Sequence, residues 1–147
     1  LINMQPNTMP PSPNPNHWLP LIELIPAIER TRQFGAYPEP IQLAENLSVY
    51  SGISNSEIAG EFLRRVYESG LMYDFDWMGW EAGRVILQER PGDDFSTYDL
   101  ETLNKFIIAI VRNDKYCEGY LASKFSDGTI LSILKAAESI VNHKGSG

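Results

Sequence analysis

The sequence predicts an all-α domain of about six helices packed around a buried helix over residues 100–113. Three observations predict it. Apolar residues recur at i, i+3, i+4 and i+7 in successive segments, and they alternate only briefly near 41–50. Capping residues and glycines bracket those segments. Finally, the segment 100–113 is apolar almost all round, the mark of a helix with no solvent face.

Residues 1–17 carry Pro6, Pro10, Pro11, Pro13 and Pro15 between Asn, Ser and Thr, so they read as a Pro-rich flexible arm. The folded domain is expected over 18–142, with 143–147 a disordered tail or vector scar. Met4 and Met9 are candidate natural starts. The first helix spans about Leu19 to Gln33, with Leu21, Leu24, Ile25 and Ile28 on one face. Pro20 suits its first turn, and Pro26 kinks or breaks it near Ile25. The segment 41–50 supports at most a short strand or irregular connection.

Ser54 and Glu57 have the spacing of a capping box for the second helix, which Gly70 stops. Asp76 is the expected N-cap of a third helix, Trp77 to about Glu89, ended by Pro91-Gly92. Asp99 caps the fourth, Leu100 to about Asn113. Asp114 is the expected cap of a fifth helix over Lys115 to Phe125, closed by Asp127-Gly128. The sixth, Thr129 to about Asn142, carries Ile130, Ile133, Leu134, Ala137, Ile140 and Val141 on one stripe.

Composition excludes several classes. A net charge of −7 argues against nucleic acid, whose phosphates are bound by Lys and Arg. Residues 51–100 carry most of that excess, with ten acids against four Lys and Arg. No apolar run is long enough for a membrane span, and no signal peptide is visible. A single cysteine forms no internal disulfide and fits a reducing, cytoplasmic setting. There is no Gly-rich phosphate loop, HExxH, CxxC or GxSxG. With two histidines and one cysteine, no metal site and no cofactor are expected. Asp93, Asp94, Asp99 and Glu101 lack calcium-loop spacing and read as a solvated acidic loop and cap.

Two stretches remain as candidates for chemistry. In the first, Asp114 as N-cap would place Cys117 in a first helical turn, which lowers a thiol pKa. Against this, Cys117, Leu121 and Phe125 share one face, and Glu118 disfavours a thiolate, so a buried structural cysteine is the expectation. Glu118 borders the same apolar stripe. It needs a partner if buried, with Arg112 or Arg84 as candidates, and would be an acid/base group if a cavity faces it. In the second stretch, Trp77 and Trp80 are three apart and would fall on one side of a helix. With Tyr73 they either fill the core or line a pocket for a flat or cationic ligand.

FDWMGW (Phe75–Trp80) and DLETLNKFIIAIVRNDKYCEGYLASKFSDGTILSILK (Asp99–Lys135) resemble the bacterial proteins catalogued as domain of unknown function 6508. The resemblance covers about 18–142 and is strongest over 71–135. Asp76, Trp77, Trp80, Arg112, Cys117, Glu118 and Gly119 match its motif positions, and the resemblance implies that Trp77, Trp80, Arg112 and Glu118 belong to one structural or functional unit. Many relatives carry His where this chain has Tyr120, so a base or ligand at that place would here be a phenol.

The reading is therefore a non-enzymatic binding or regulatory module of a bacterial cell, in the manner of a mobile-element accessory protein. Its partner is expected to be a protein or small ligand, and the arm and hydrophobic content favour a symmetric homodimer. The alternative is a small-ligand binder or enzyme with a site built from Trp77, Trp80, Arg112, Cys117, Glu118 and Tyr120. A ligand-sized cavity faced by Arg112 and Glu118 with Trp77 on its wall would favour that alternative.

Overall fold

A computed structural model describes residues 15–31, 35–36, 41–44, 47–49, 54–55, 57–89, 94–117 and 119–145. Between 32 and 56 only paired backbone is described. The fold is all-α. A 3₁₀ turn at Pro15–His17 leads into α1 (Leu19–Ile22) and α2 (Ile25–Arg30). Pro20 and Pro26 each sit in the first turn of their own short helix, so the kink expected near Ile25 is a full break. The predicted face is buried at Leu21, Leu24, Ile25 and Ile28.

Two small antiparallel ribbons follow. β1 (Gly35–Ala36) pairs with β4 (Ser54–Asn55), and β2 (Ile41–Ala44) pairs with β3 (Leu47–Val49). The second lies where the sequence alternates. In the first, Ser54 stands opposite Ala36. Helix α3 (Glu57–Ser69) follows. The Ser54 side chain, on which the expected capping box rests, lies outside the described residues. The other end is as expected: Gly70 adopts φ +86°, the left-handed stop that disfavours a β-carbon, and Leu71 is buried behind it.

Helix α4 (Glu81–Glu89) starts later than predicted, for reasons given below. Helix α5 (Leu100–Asp114) is the centre of the fold. Leu103, Phe106, Ile107, Ile108 and Ile110 are completely buried, on all sides of the helix. Phe106 gathers three rings, with centroids 4.9 Å to Trp80, 5.1 Å to Phe95 and 5.2 Å to Tyr98. Helices α6 (Tyr120–Ser126) and α7 (Thr129–Gly145) pack on α5 and on each other. Phe125 meets Phe62 of α3 edge-on at 5.2 Å.

Polar ties cross between elements. Arg65 Nη1 donates to the Pro20 carbonyl (2.7 Å), joining α3 to α1, and Lys135 of α7 pairs with Glu29 of α2 at 3.0 Å. Hydrogen bonds from Arg64 and Arg65 hold the Glu61 carboxyl down at about 2. Among the described residues, no helix is long and apolar enough to cross a membrane.

The predicted cap of α5 is in place: Asp99 Oδ1 accepts from the Thr102 N–H at 2.8 Å. The hydrogen bond with the Thr102 side chain, and after it this backbone bond, lower the Asp99 pKa from 3.8. Asp99→Ala should cost about 1 kcal/mol in urea unfolding near neutral pH. A lowered folded pKa gives stability that is complete above the unfolded value and lost as pH falls through the folded one. The gap between wild type and variant should therefore close below 3.8. A gap unchanged at acid pH would mean that the charge on Asp99 contributes nothing.

Candidate functional site

The segment 75–80 forms one wall of the site. Asp76 Oδ1 accepts from the Gly79 N–H (3.0 Å), and Trp77 carbonyl oxygen accepts from Trp80 N–H (3.3 Å). Asp76 thus caps a tight turn and not a helix, which is why α4 begins only at Glu81. A side chain at Gly79 would collide with the Asp76 carboxylate. The two tryptophans, both partly buried against the core, meet different partners. Trp80 lies against Phe106 and edge-on to Phe75 (5.9 Å), and its indole occupies the space a β-carbon on Gly83 would need. The Trp77 ring stands 6.1 Å from Tyr116, inclined by 34°.

The opposite wall is built where α5 ends. Asp114 was expected to start a helix at Lys115. Instead Asn113 carbonyl oxygen accepts from both Tyr116 N–H (3.0 Å) and Cys117 N–H (2.9 Å), closing a turn. Gly119 then takes φ +80°, and α6 starts at Tyr120. Asp114 still caps this helix, from across the turn, by accepting from Leu121 N–H at 2.9 Å. Cys117 consequently leaves the Leu121–Phe125 face and is exposed. The expectation of a core cysteine is overturned, because helical spacing does not run through a turn.

Between the walls is a pocket of about 270 Å³. Trp77 and Met78 line it from the turn, Arg84, Leu87 and Gln88 from α4, Ala109 and Asn113 from α5, and Tyr116 and Tyr120 from the second wall. Arg84 and Gln88, like Ala109 and Asn113, are four apart and so share a helix face. Arg84 Nη1 donates to the Met78 carbonyl (3.2 Å), and Arg84 has no carboxylate partner among the described residues. Arg64, Arg65 and Arg112 each have one.

Burial pushes the Tyr120 phenol above its ordinary pKa of 10, a hydrogen bond from Asn113 opposes this, and Asp127 and Cys117 add to it. The phenol is therefore neutral near pH 7, suited to hydrogen bonding and not to proton abstraction. Behind it lies Lys124, only 6% exposed. Its ammonium stands 5.3 Å from the Tyr120 ring centre, donates to the Leu87 carbonyl and pairs with Asp127 at 3.2 Å.

The electrostatics favour one sign of ligand. Two like unit charges about 4 Å apart repel by roughly 4 kcal/mol at an effective dielectric near 20. A cation–π contact returns about 0.5–2 kcal/mol. A cationic ligand beside Arg84 would meet a like charge that works against the attraction of the aromatic walls.

A family model described as "Family of unknown function (DUF6508)" matches residues 13–143. The chain belongs to that family. No curated protein and no solved structure matches it.

Of the candidate site residues Asp76, Trp77, Trp80, Arg112, Cys117, Glu118 and Tyr120 in this DUF6508 chain, the structure brings Trp77 and Tyr120 to the pocket. Trp80 serves the core, and Asp76 serves the turn. Arg112 reaches the fully exposed Asp74 at 3.3 Å, a pair whose solvent exposure leaves it weak. Glu118 lies outside the described residues. Tyr73, 5.8 Å from Phe75, does not line the pocket, and its buried hydroxyl has no hydrogen-bond partner among the described residues. Among the described residues, no group of three His, Cys, Asp or Glu is placed to hold a metal.

Arg84 was legible only as a possible partner for Glu118, and Asn113, Tyr116 and Lys124 were missed altogether. One signal was present: Ala109 and Asn113 interrupt the bulky apolar surface of α5 on a single face.

Proposed function

We propose that the protein is a non-enzymatic binding module whose ligand site is the pocket between the 75–80 turn, α4 and the end of α5. The observation that carries this reading is the character of the lining. It offers aromatic rings, two side-chain amides, a guanidinium and a phenol held in its neutral form. These groups recognise and orient. No carboxylate or histidine is among the described lining residues to act with them as an acid–base pair.

A thermal-shift screen of small planar metabolites tests the reading. A ligand present at about 100 times its Kd should add roughly 2.7 kcal/mol of stability. It should raise the melting temperature of wild type, leave Trp77→Leu unmoved, and be recovered unchanged by mass spectrometry. Chemical conversion of the ligand would overturn the proposal in favour of an enzyme. Equal stabilisation of Trp77→Leu would move the site elsewhere.

A further inference from the structure

We propose, building on the pocket reading above, that the ligand is a planar aromatic carboxylate, its ring against Trp77 and Tyr116 and its carboxylate on Arg84. The ring site comes first. Trp77 and Tyr116 are tilted 34° at 6.1 Å, so neither stacks face to face on the other. Tyr116 is 73% exposed, and Met78 beside it is 51% exposed. Large apolar groups left in water around a concavity mark a contact surface.

The charge site is Arg84. One nitrogen donates to the Met78 carbonyl at 3.2 Å, and among the described residues the other donors of the guanidinium meet no carboxylate. A guanidinium fork matches a carboxylate in two parallel hydrogen bonds. Asn113 and Gln88 add amides to the same lining.

Two observations exclude the cation that an aromatic cage would otherwise suit. Arg84 lies in the lining without a carboxylate partner among the described residues. The Tyr120 ring already has a cation, Lys124, against it. Glu81 belongs to the adjoining hollow, which shares Met78, Arg84 and Gln88 with the pocket, and does not line the pocket itself. Size sets the rest. A volume of about 270 Å³ lies at the small end for ligand sites, enough for one or two fused rings and too small for a dinucleotide.

The test is a nitrogen-15 NMR titration of the full chain, following the indole N–H signals of Trp18, Trp77 and Trp80. The probes are indole-3-acetate, indole and tryptamine, which share a ring and differ in charge. Indole-3-acetate should move Trp77, leave the buried Trp18 in place, and bind at least about tenfold tighter than tryptamine, the scale of one charge-assisted contact. Arg84→Gln should abolish that preference. Tyr116→Ala, which leaves the charge intact, should weaken all three probes alike. Binding of indole or tryptamine as tight as that of the acid would overturn the carboxylate assignment and leave the pocket reading standing. If no probe moves Trp77, the pocket reading falls, and this inference with it.

Discussion

Phe106→Ala is expected to cost about 3–5 kcal/mol in chemical denaturation, the largest effect of any single substitution considered. Phe106 is fully buried on the central helix and is the shared neighbour of Trp80, Phe95 and Tyr98. Truncation removes a ring from the middle of that group. The neighbours come from two separate stretches, Trp80 from one and Phe95 with Tyr98 from the other, which cannot both collapse into one void. At roughly 2–4 °C per kcal/mol for a chain of this size, the melting temperature should fall by about 10 °C. The ligand pocket should weaken in parallel, because Trp80 ends the turn that carries Trp77. Phe106→Leu keeps most of the volume, so it should cost less and keep the fold available for measurement. A loss under about 1 kcal/mol for the alanine variant would contradict the central role of α5.

Lys124→Met should cost about 1–3 kcal/mol, the penalty for leaving buried polar groups without partners. Methionine keeps the apolar stem and removes only the ammonium. Leu87 lies in the last turn of α4, where carbonyls have no partner within the helix. Lys124 supplies that partner from α6, at the negative end of the helix dipole. Its pairing with Asp127 matters less, because Asp127 is about a quarter exposed and keeps some hydration. The variant should therefore loosen the end of α4 more than α6 or α7. Amide exchange should accelerate over 86–89 while that of α5 changes little. Because Leu87 and Tyr120 both line the pocket, ligand affinity should fall as well. Uniform acceleration across all helices would show a general loss of stability and would refute the capping role.

Much of the fold was legible because it rests on local chemistry. The Pro20 and Pro26 breaks, the Asp99 cap, the Gly70 and Gly128 turns and the apolar surface of α5 all follow from interactions within a few residues. The errors share one cause. Asp76 and Asp114 are both good helix caps by type, but neither caps a helix that starts at the next residue. Asp76 closes a turn on Gly79, and Asp114 caps a helix beginning six residues later. The residue type reveals a backbone N–H to be satisfied, but not which one.

The site inherited those errors. A helix over Trp77–Trp80 would put both indoles on one face, and a helix over Lys115–Phe125 would bury Cys117; turns stand in both places. An all-α domain with α5 at its centre is legible from local pattern alone, because burial of a largely apolar helix needs no knowledge of its neighbours. That two turns place Trp77 opposite Tyr116 while Trp80 packs on Phe106 depends on tertiary contacts. So does the meeting of Arg84 from α4 with Asn113 from α5 in one pocket, with Lys124 behind Tyr120. A pocket is the space between elements, and the residues lining it are set by how helices meet, which no periodicity along one helix encodes.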